Sequence, residues 1–358
     1  MLNTHVKTVL RAPQSRPPFT FRDVKQAIPP HCFKRSVPQS FSYLLLDIAI
    51  SFSLYYISAK CITEPVPSQL YFLISWITYS LLQGCVLLRI WIIGHECGHH
   101  AFSDYEWLDD VVGFILHSFL PYPYFSFKYS HRHHHSKTRY LHHEELDSPM
   151  LKSQVPSFFK HLTNPAARLL AISSLLVFGL PTYLLINFRS GDHDRFAFHF
   201  NPFSQMFSRG QHAQILPSDA GVLAMSHGLH KLASIKGFAW IAFVYGGPYL
   251  TLNALLMVAF ILNHTHPFVP YYDSSEWDWL RGSLATIDRD FGIFNMVFHN
   301  ATKTHVAHHL FPGIPHYHAE EATRAMKPIL GEHYQYDDTP FYQSLWSTIR
   351  DCVYVEED

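Results

Sequence analysis

The sequence predicts an all-α integral membrane protein with about four transmembrane helices, interfacial helices and a cytosolic helical cap that carries a metal site. Three observations indicate this class. Hydrophobic residues make up 48% of the chain and charged residues only 15%, against roughly 25% charged residues in soluble proteins. Four apolar runs approach the ~20 residues that cross a bilayer as a helix. Three histidine clusters lie beside the runs or between them.

The first two spans are predicted at residues 43–62 and 70–94, after a polar N-terminal segment of residues 1–42. Residues 1–40 contain seven Lys or Arg, whereas the link at 63–68 contains none. Basic residues favour the cytosolic side of a membrane. We therefore expect a cytosolic N-terminus, and two crossings return the chain to the cytosolic face.

The apolar stretch 111–127 is short and is broken by Pro121 and Pro123, which favours an interfacial or re-entrant piece. The third and fourth spans are predicted at 166–188 and 238–262. A weaker patch between them, Ala220 to Met225, is taken as amphipathic. Residues 43–358 then form one membrane domain, with both termini cytosolic and a cap built from 95–165 and 264–358.

Other features exclude several classes of function. The formal net charge of −1 gives no basic surface for nucleic acid. Five scattered cysteines lack the spacing of a disulfide framework or a zinc ribbon. The chain contains neither Gly-x-Gly-x-x-Gly nor His-Pro-Gly-Gly, so it has no recognisable dinucleotide or haem motif. Any electrons for a redox reaction must therefore come from another protein.

Ten of the 27 histidines fall in three short windows. The second and third windows place histidines at i, i+3 and i+4, which share a helix face, and the first has two histidines one turn apart. Neutral imidazole is a common metal ligand, so the spacing predicts a metal centre. The windows are His95-Glu-Cys-Gly-His99-His100, His131-Arg-His133-His134-His135 and His305-Val-Ala-His308-His309.

Ten clustered histidines exceed the needs of one tetrahedral ion, which takes four ligands, and so indicate two metals. Iron accepts imidazole ligands and activates O₂, whereas zinc has no redox chemistry. A metal centre beside apolar helices suggests oxidation of a lipid chain. An unactivated C–H bond offers no acid–base handle, so hydrogen abstraction by an iron-based oxidant is the expected route.

The sequence resembles the membrane-bound fatty acid desaturases of the plant microsomal oleate (delta-12, omega-6) type over nearly its whole length. The segments that carry the resemblance are Pro17-Pro-Phe-Thr20, Ala27-Ile-Pro-Pro-His-Cys-Phe33, His95 to Leu108, His264-Thr-His266-Pro, Asp273-Ser-Ser-Glu-Trp-Asp-Trp-Leu-Arg281 and Phe311 to Leu330. The resemblance implies an enzyme of the endoplasmic reticulum membrane that inserts a cis double bond into oleoyl-phospholipid. It also implies electron supply from cytochrome b5 and NADH-cytochrome b5 reductase.

The resemblance further implies two non-haem iron ions bound by the three histidine boxes and one additional histidine. His266 is the preferred additional ligand, with His264 and His133 as further candidates and Asn263 as a possible holder of a water ligand. The expected ligands are His95, His99, His100, His131, His134, His135, His266, His305, His308 and His309.

Several positions depart from the pattern of ordinary oleate desaturases. His133 stands where arginine is usual, and Lys303 replaces an acidic group. Pro312-Gly313-Ile314 replaces Ser-Thr-Met, whereas Ala101 is typical of desaturases. The alternative is therefore a divergent relative that acts as a conjugase, acetylenase, hydroxylase or epoxygenase.

Two hypotheses from other classes remain open at this stage. His95-Glu96-x-x-His99 alone matches a zinc metalloprotease with Glu96 as general base. A histidine-rich transporter is the other, although transporters usually place polar ligands near the membrane midplane.

Residues outside the boxes also carry expectations. Arg89 is expected to reach the headgroups, and Trp277 and Trp279 to be interface anchors. The acidic candidates for orienting ligand histidines are Asp273, Glu276, Asp278, Asp288 and Asp290.

Overall fold

The computed structural model describes residues 12–13, 15–63, 68–141, 143–144, 148–187 and 197–356. The centre of the link expected at 63–68 and the last residue of the span expected at 166–188 lie outside these residues. The described chain is mainly helical. Its helices are α1 (Phe21–Ala27), α2 (Val37–Thr63), α3 (Gln69–Gly98), α4 (Glu106–Phe119), α5 (Tyr124–Lys137), α6 (Pro165–Ile186), α7 (His212–Lys236), α8 (Phe238–Ile241), α9 (Gly247–His264), α10 (Trp279–Leu284), α11 (His305–Leu310), α12 (His316–Leu330) and α13 (Phe341–Asp351).

The remaining regular elements are short. Strand β1 (Met150–Leu151) pairs in parallel with β4 (Tyr354–Val355), with Met150 opposite Tyr354. Strand β2 (Asp288–Arg289) pairs in parallel with β3 (Tyr336–Asp337), with Asp288 opposite Tyr336. Single 3₁₀ turns cover Pro30–Phe33, Lys152–Gln154, Ser157–His161, Gly292–Met296, Ala301–Lys303 and Gly331–His333.

Four helical stretches in the described residues have the length and composition of membrane spans, which confirms the expected number. They are Val37–Lys60, Gln69–Gly98, Pro165–Ile186 and Phe238–His264. The second and fourth run beyond the bounds expected from the apolar pattern, because the polar histidines continue the same helices. The first histidine box and His264 therefore lie at the ends of the spanning helices, which hold them in fixed positions.

Helix α3 is central and packs against α2, α4 and α9. At Gly84 the α3 and α9 backbones come close, because an added Cβ would lie 2.7 Å from the Pro248 carbonyl oxygen and closer still to the Thr251 side chain. Small residues permit this approach between membrane helices. The fourth span also contains a π turn at Ala242–Gly246, directly before Pro248. This turn accommodates the missing proline N–H.

The stretch expected at the interface consists of α4 and α5, separated around Pro121 and Pro123 as the sequence indicates. Neither is among the span-like helices of the described chain. Helix α7 is much longer than the expected patch at Ala220 to Met225, since it runs over 25 residues.

Two contacts differ from expectation, one polar and one apolar. The Arg89 guanidinium does not reach towards headgroups: its Nε donates to Asp47 Oδ1 of α2 at 2.6 Å, and Asp47 itself is fully buried. Helix α1 packs against α12, burying Val24 and Ile28. Part of the N-terminal segment thus joins the cap, and a domain boundary at residue 42 stays a prediction.

Candidate metal centre

Four helices bring the histidine boxes together. His95 lies in the last turn of α3, and His99 is its C-cap residue. Helix α5 carries the second box and α11 the third. Helix α9 ends at His264, which approaches from the fourth span. The centre is therefore held by helix ends rather than by long loops.

One set of side chains, the five-histidine group, combines members of all three boxes. Their ring nitrogens lie within 4.8 Å of one another. The shortest separations between Nε2 atoms are 2.7 Å for His95 and His131, 3.1 Å for His95 and His99, and 3.2 Å for His131 and His135. The group comprises His95, His99, His131, His135 and His308.

A second set, the four-histidine group, lies directly beside the first. Ring nitrogens of His134, His264 and His309 lie within 4.8 Å of one another, and His305 Nε2 is 2.8 Å from His264 Nε2. The two groups meet where the His135 and His309 rings stack at a centroid distance of 4.1 Å. The geometry thus provides two adjacent sets of imidazole donors.

The donor chemistry fits metal ions. Each group contains buried ring nitrogens that have no hydrogen-bond partner among the described residues, such as His135 Nδ1 and His309 Nε2. Burial lowers the pKa of His308 to about 4. Burial and the neighbouring imidazoles also hold the pKa of His135 well below its usual value. A metal site requires neutral, convergent imidazoles, each with a ring nitrogen left free of hydrogen bonds.

Two of the candidate ligand histidines are oriented by residues that the sequence analysis missed. Glu144, which is buried, bonds His134 Nδ1 with one oxygen and accepts the Arg139 backbone N–H at 2.7 Å with the other. Thr138 Oγ1 lies 3.2 Å from His309 Nδ1. Such contacts fix the tautomer and orientation of ligand rings. The available signal was the carboxylate pair Glu144-Glu145 that closely follows the second box.

The five acidic candidates have other partners. Asp288 accepts the Val306 N–H at 2.7 Å and the Tyr334 hydroxyl at 2.6 Å, so it anchors the start of α11 instead of a ring. Burial raises the pKa of Asp288 to about 7. The others bond local groups, in the pairs Asp273 with Ser275, Glu276 with Arg281, Asp278 with the Arg281 N–H, and Asp290 with Asn295.

The two tryptophans donate hydrogen bonds to the end of α5, and their role as interface anchors stays a prediction. Trp277 Nε1 donates to the Thr138 carbonyl at 3.0 Å, and Trp279 Nε1 donates to the His135 carbonyl at 3.1 Å. They hold the C-terminal end of α5, where helical carbonyls lack partners.

Three expected or candidate ligands lie outside both groups. His266 Nε2 is 3.8 Å from Asp337 Oδ2, because the backbone becomes extended after His264 and turns the ring away; His264 takes the place expected of His266. His100 follows the end of α3 and bonds Asp109 through Nδ1 at 2.6 Å. His133 is exposed on the opposite face of α5.

Asn263 does not point a free amide nitrogen at the groups, since its Nδ2 donates to the carbonyls of Ile287 and Thr302 at 2.6 and 2.8 Å. It does line a partly open cavity between α3 and α9, to whose wall both histidine groups contribute. The other lining residues are Leu88, Trp91, Ile92, His95, His131, Leu256, Ala259, Phe260, Phe298, Ala301, Thr302, His305 and His308.

Apart from His133 on α5, the positions that depart from the desaturase pattern flank the third box, at Lys303 and at residues 312–314. Lys303 Nζ pairs with Glu320 at 3.0 Å, so its charge is directed to α12. Ile314 is buried and lines a second, partly open cavity together with His95 and His308. An added Cβ at Gly313 would lie 3.1 Å from the Arg35 guanidinium. Ala101 is fully buried after the first box.

The protease hypothesis does not agree with this arrangement. Glu96 accepts the His316 N–H and bonds His316 Nδ1, both at 2.6 Å, and His95 and His99 belong to a group of five imidazoles. A zinc protease leaves its glutamate to act as a base on metal-bound water. The fold and site instead define a membrane protein with two adjacent histidine groups that could hold metal ions.

Comparison with known proteins agrees with this class. The fatty acid desaturase family model matches residues 72–341, and a model described only as a domain of unknown function matches residues 4–55. A delta-12 fatty acid desaturase of Vernicia fordii is 53% identical over 97% of this chain and 90% of its own length. An omega-6 fatty acid desaturase of Glycine max, an endoplasmic reticulum isozyme, is 52% identical over 99% and 92%. An oleoyl-12-hydroxylase of Ricinus communis is 49% identical over 99% and 91%.

The chain therefore belongs to the fatty acid desaturase family. It is an oxidoreductase of the membrane that acts on acyl lipids.

Proposed function

We propose that this enzyme inserts a cis double bond at the delta-12 position of an oleoyl chain carried on a phospholipid, in the endoplasmic reticulum membrane. The observation that carries the proposal is the partly open cavity between α3 and α9, which is lined mainly by apolar side chains and also by His95, His131, His305 and His308. An acyl chain in this cavity would meet both histidine groups. The desaturase names of the Vernicia and Glycine relatives support the substrate and position.

Two iron ions are the proposed cofactors, one in each histidine group. The proposed ligands are His95, His99, His131, His135 and His308 for one ion and His134, His264, His305 and His309 for the other. When bound, iron supplies the redox chemistry with O₂ that an unactivated C–H bond requires. This proposed ligand set does not include His100, His133 or His266.

The protein itself contributes binding, orientation and exclusion of water. Leu256, Ala259 and Phe260 of α9 offer no hydrogen bonds to water and hold a methylene chain by apolar contact. Trp91 packs parallel to the His95 ring at a centroid distance of 5.6 Å, which fixes that ring at the cavity wall. Placement matters because a shift of about 1 Å at a reacting centre can change a rate by ~10²-fold.

Electrons are proposed to come from cytochrome b5 and NADH-cytochrome b5 reductase, on the cytosolic side where we place both termini and all three boxes. A host that lacks cytochrome b5 should then show little product from normal amounts of enzyme. Product that persists without cytochrome b5 would contradict this partner.

The deciding experiment is expression in a host without its own delta-12 desaturase, followed by fatty acid analysis of the phospholipids. We expect a diene with its new bond at carbons 12 and 13, and no such product from His308→Ala at equal protein level. A membrane fraction that contains the enzyme but yields only hydroxylated or acetylenic acids would refute double-bond insertion.

The second candidate function is a modified-fatty-acid activity, such as hydroxylation. It is favoured by the residues at 312–314, because Ile314 lines the cavity that also contains His308, and by the similar identity to the Ricinus hydroxylase. Replacing these residues by Ser-Thr-Met tests it. A wild-type enzyme that makes an alcohol should gain alkene product in this variant, whereas a wild-type desaturase should keep its product.

A further inference from the structure

A third group of metal-ligating side chains lies on the surface of the cap and shares no residue with the two histidine groups. His31 and Cys32 belong to the 3₁₀ turn Pro30–Phe33, and His318 and Glu321 lie on the first turns of α12. One ligand atom from each of the four lies within 4.8 Å of the other three. The residues come from chain segments almost 300 positions apart, so only the fold brings them together.

The side chains of this group lie close together and converge on one point. His31 Nε2 is 2.9 Å from Glu321 Oε2, and the His31 and His318 rings meet edge to face at 5.5 Å. An exposed His31–Glu321 ion pair would account for two of the residues. It would not account for the thiol of Cys32 and the second imidazole at the same point.

The surroundings suit a bound cation. Cys32 is fully buried in the apolar cluster that contains Val24, Val306 and Met326. The packing of this cluster fixes the position of the Cys32 sulfur. The His31 and Glu321 side chains are about half exposed, at 52% and 46%, and leave a path for an ion from solvent. A site that is rigid on one side and open on the other can fill after folding.

We propose that His31, Cys32, His318 and Glu321 bind one Zn²⁺ ion that ties the N-terminal segment to α12. Cysteine, histidine and carboxylate are the ligands that Zn²⁺ prefers, and a structural zinc site takes four of them. A thiolate and a carboxylate together balance the two positive charges. The ion would clamp α12, the helix that follows the third histidine box, and it is separate from the redox centre of the proposed function.

The test uses full-length protein purified in detergent, loaded with iron, treated with Zn²⁺ alone and freed of excess metal by gel filtration. We expect one zinc per chain in addition to the iron. His318→Asn and Glu321→Gln should each weaken Zn²⁺ binding by at least about 10- to 100-fold, since even indirect changes at metal sites have effects of that size. The iron content of both variants should stay unchanged.

Matched controls are His161→Asn and Glu332→Gln, because both residues are exposed on the described surface away from this group. They should keep the zinc. Equal zinc in His318→Asn, Glu321→Gln and the controls would overturn the proposal, as would a wild type that binds no zinc once its iron is loaded. Both test variants change exposed or half-buried side chains, and gel filtration with the iron count verifies that they fold.

Co²⁺ in place of Zn²⁺ gives a second readout that does not depend on iron. A sulfur-to-cobalt charge-transfer band is expected in the wild type and should be lost in Cys32→Ser. Loss of the band in Cys32→Ser would identify the proposed site as its source, because that variant keeps Cys97, the cysteine of the first histidine box. If the cobalt band forms in a protein that binds no iron, the proposed function is wrong but the zinc site is supported. If the band is absent from a protein that is loaded with iron, only the zinc site is refuted.

Discussion

His264 and His266 are two residues apart, yet the structure gives them different surroundings, and exchanging each for alanine separates their roles. His264 is buried, with its Nε2 2.8 Å from His305 Nε2 and its ring 4.6 Å from that of His134. His266 lies 3.8 Å from Asp337. We expect His264→Ala to abolish acyl oxidation and His266→Ala to leave it largely intact.

The magnitudes follow from the contacts. His264→Ala removes one of four imidazoles in its group. Because changes to residues that merely support a ligand already weaken metal binding 10- to 100-fold, loss of a ligand should weaken it by at least about 100-fold, or roughly 2.7 kcal/mol. Burial lowers the pKa of His266 to about 4, so its ring is neutral near pH 7 and His266→Ala removes only a loose contact with Asp337, 3.8 Å away. We expect its effect on stability to be small.

The assay measures iron per chain in purified protein and the new unsaturated fatty acid in the expressing host, at equal protein level. His264→Ala should retain about one iron and less than about 1% of the product. His266→Ala should retain two irons and most of the product. The reverse pattern, with iron lost only from His266→Ala, would show that the wrong histidine has been assigned to the four-histidine group.

Three further predictions concern the support of the site, the packing of the spans and their orientation. Glu144→Gln should release iron to a chelator about 10- to 100-fold more readily than the wild type, and unchanged release would contradict its orienting role. Gly84→Ala should lower the free energy of unfolding in detergent by about 1–3 kcal/mol, because the new methyl group meets Thr251, and a neutral effect would mean that the helices can separate there. A glycosylation acceptor inserted near residue 65 should be modified and one near residue 140 should not, and modification near 140 would refute the cytosolic placement of the second box.

The helices and the existence of the site were predictable, because both depend on local patterns. The apolar runs predicted four spans. The i, i+3, i+4 spacing of the histidines predicted that they converge on a metal site. The same spacing suggested that His131, His134 and His135 act as one set. The structure instead separates His134 from the other two, since residues i and i+4 are nearly in line on a helix while i+3 is displaced around it.

The choice between His264 and His266 could not be read from local pattern, because it depends on where α9 ends. The helix continues through His264 and its C-cap residue Thr265 is extended, so the two rings point in different directions. The orienting roles of Glu144 and Thr138 were not predicted for a related reason. They act through tertiary contacts, and sequence proximity pointed to the wrong carboxylates, those between 273 and 290.

The product class is the question that neither the site nor the identity to relatives decides alone. A desaturase and a hydroxylase match this chain at 53% and 49% identity over nearly all of it, so overall likeness cannot distinguish two outcomes that begin with the same hydrogen abstraction. The difference must lie in how the acyl chain is placed after that step. Ile314 departs from the pattern of ordinary oleate desaturases and lines the cavity that also contains His308. Lys303, in contrast, forms an ion pair with Glu320. Residues 312–314 are therefore a better place than Lys303 to look for control of the product.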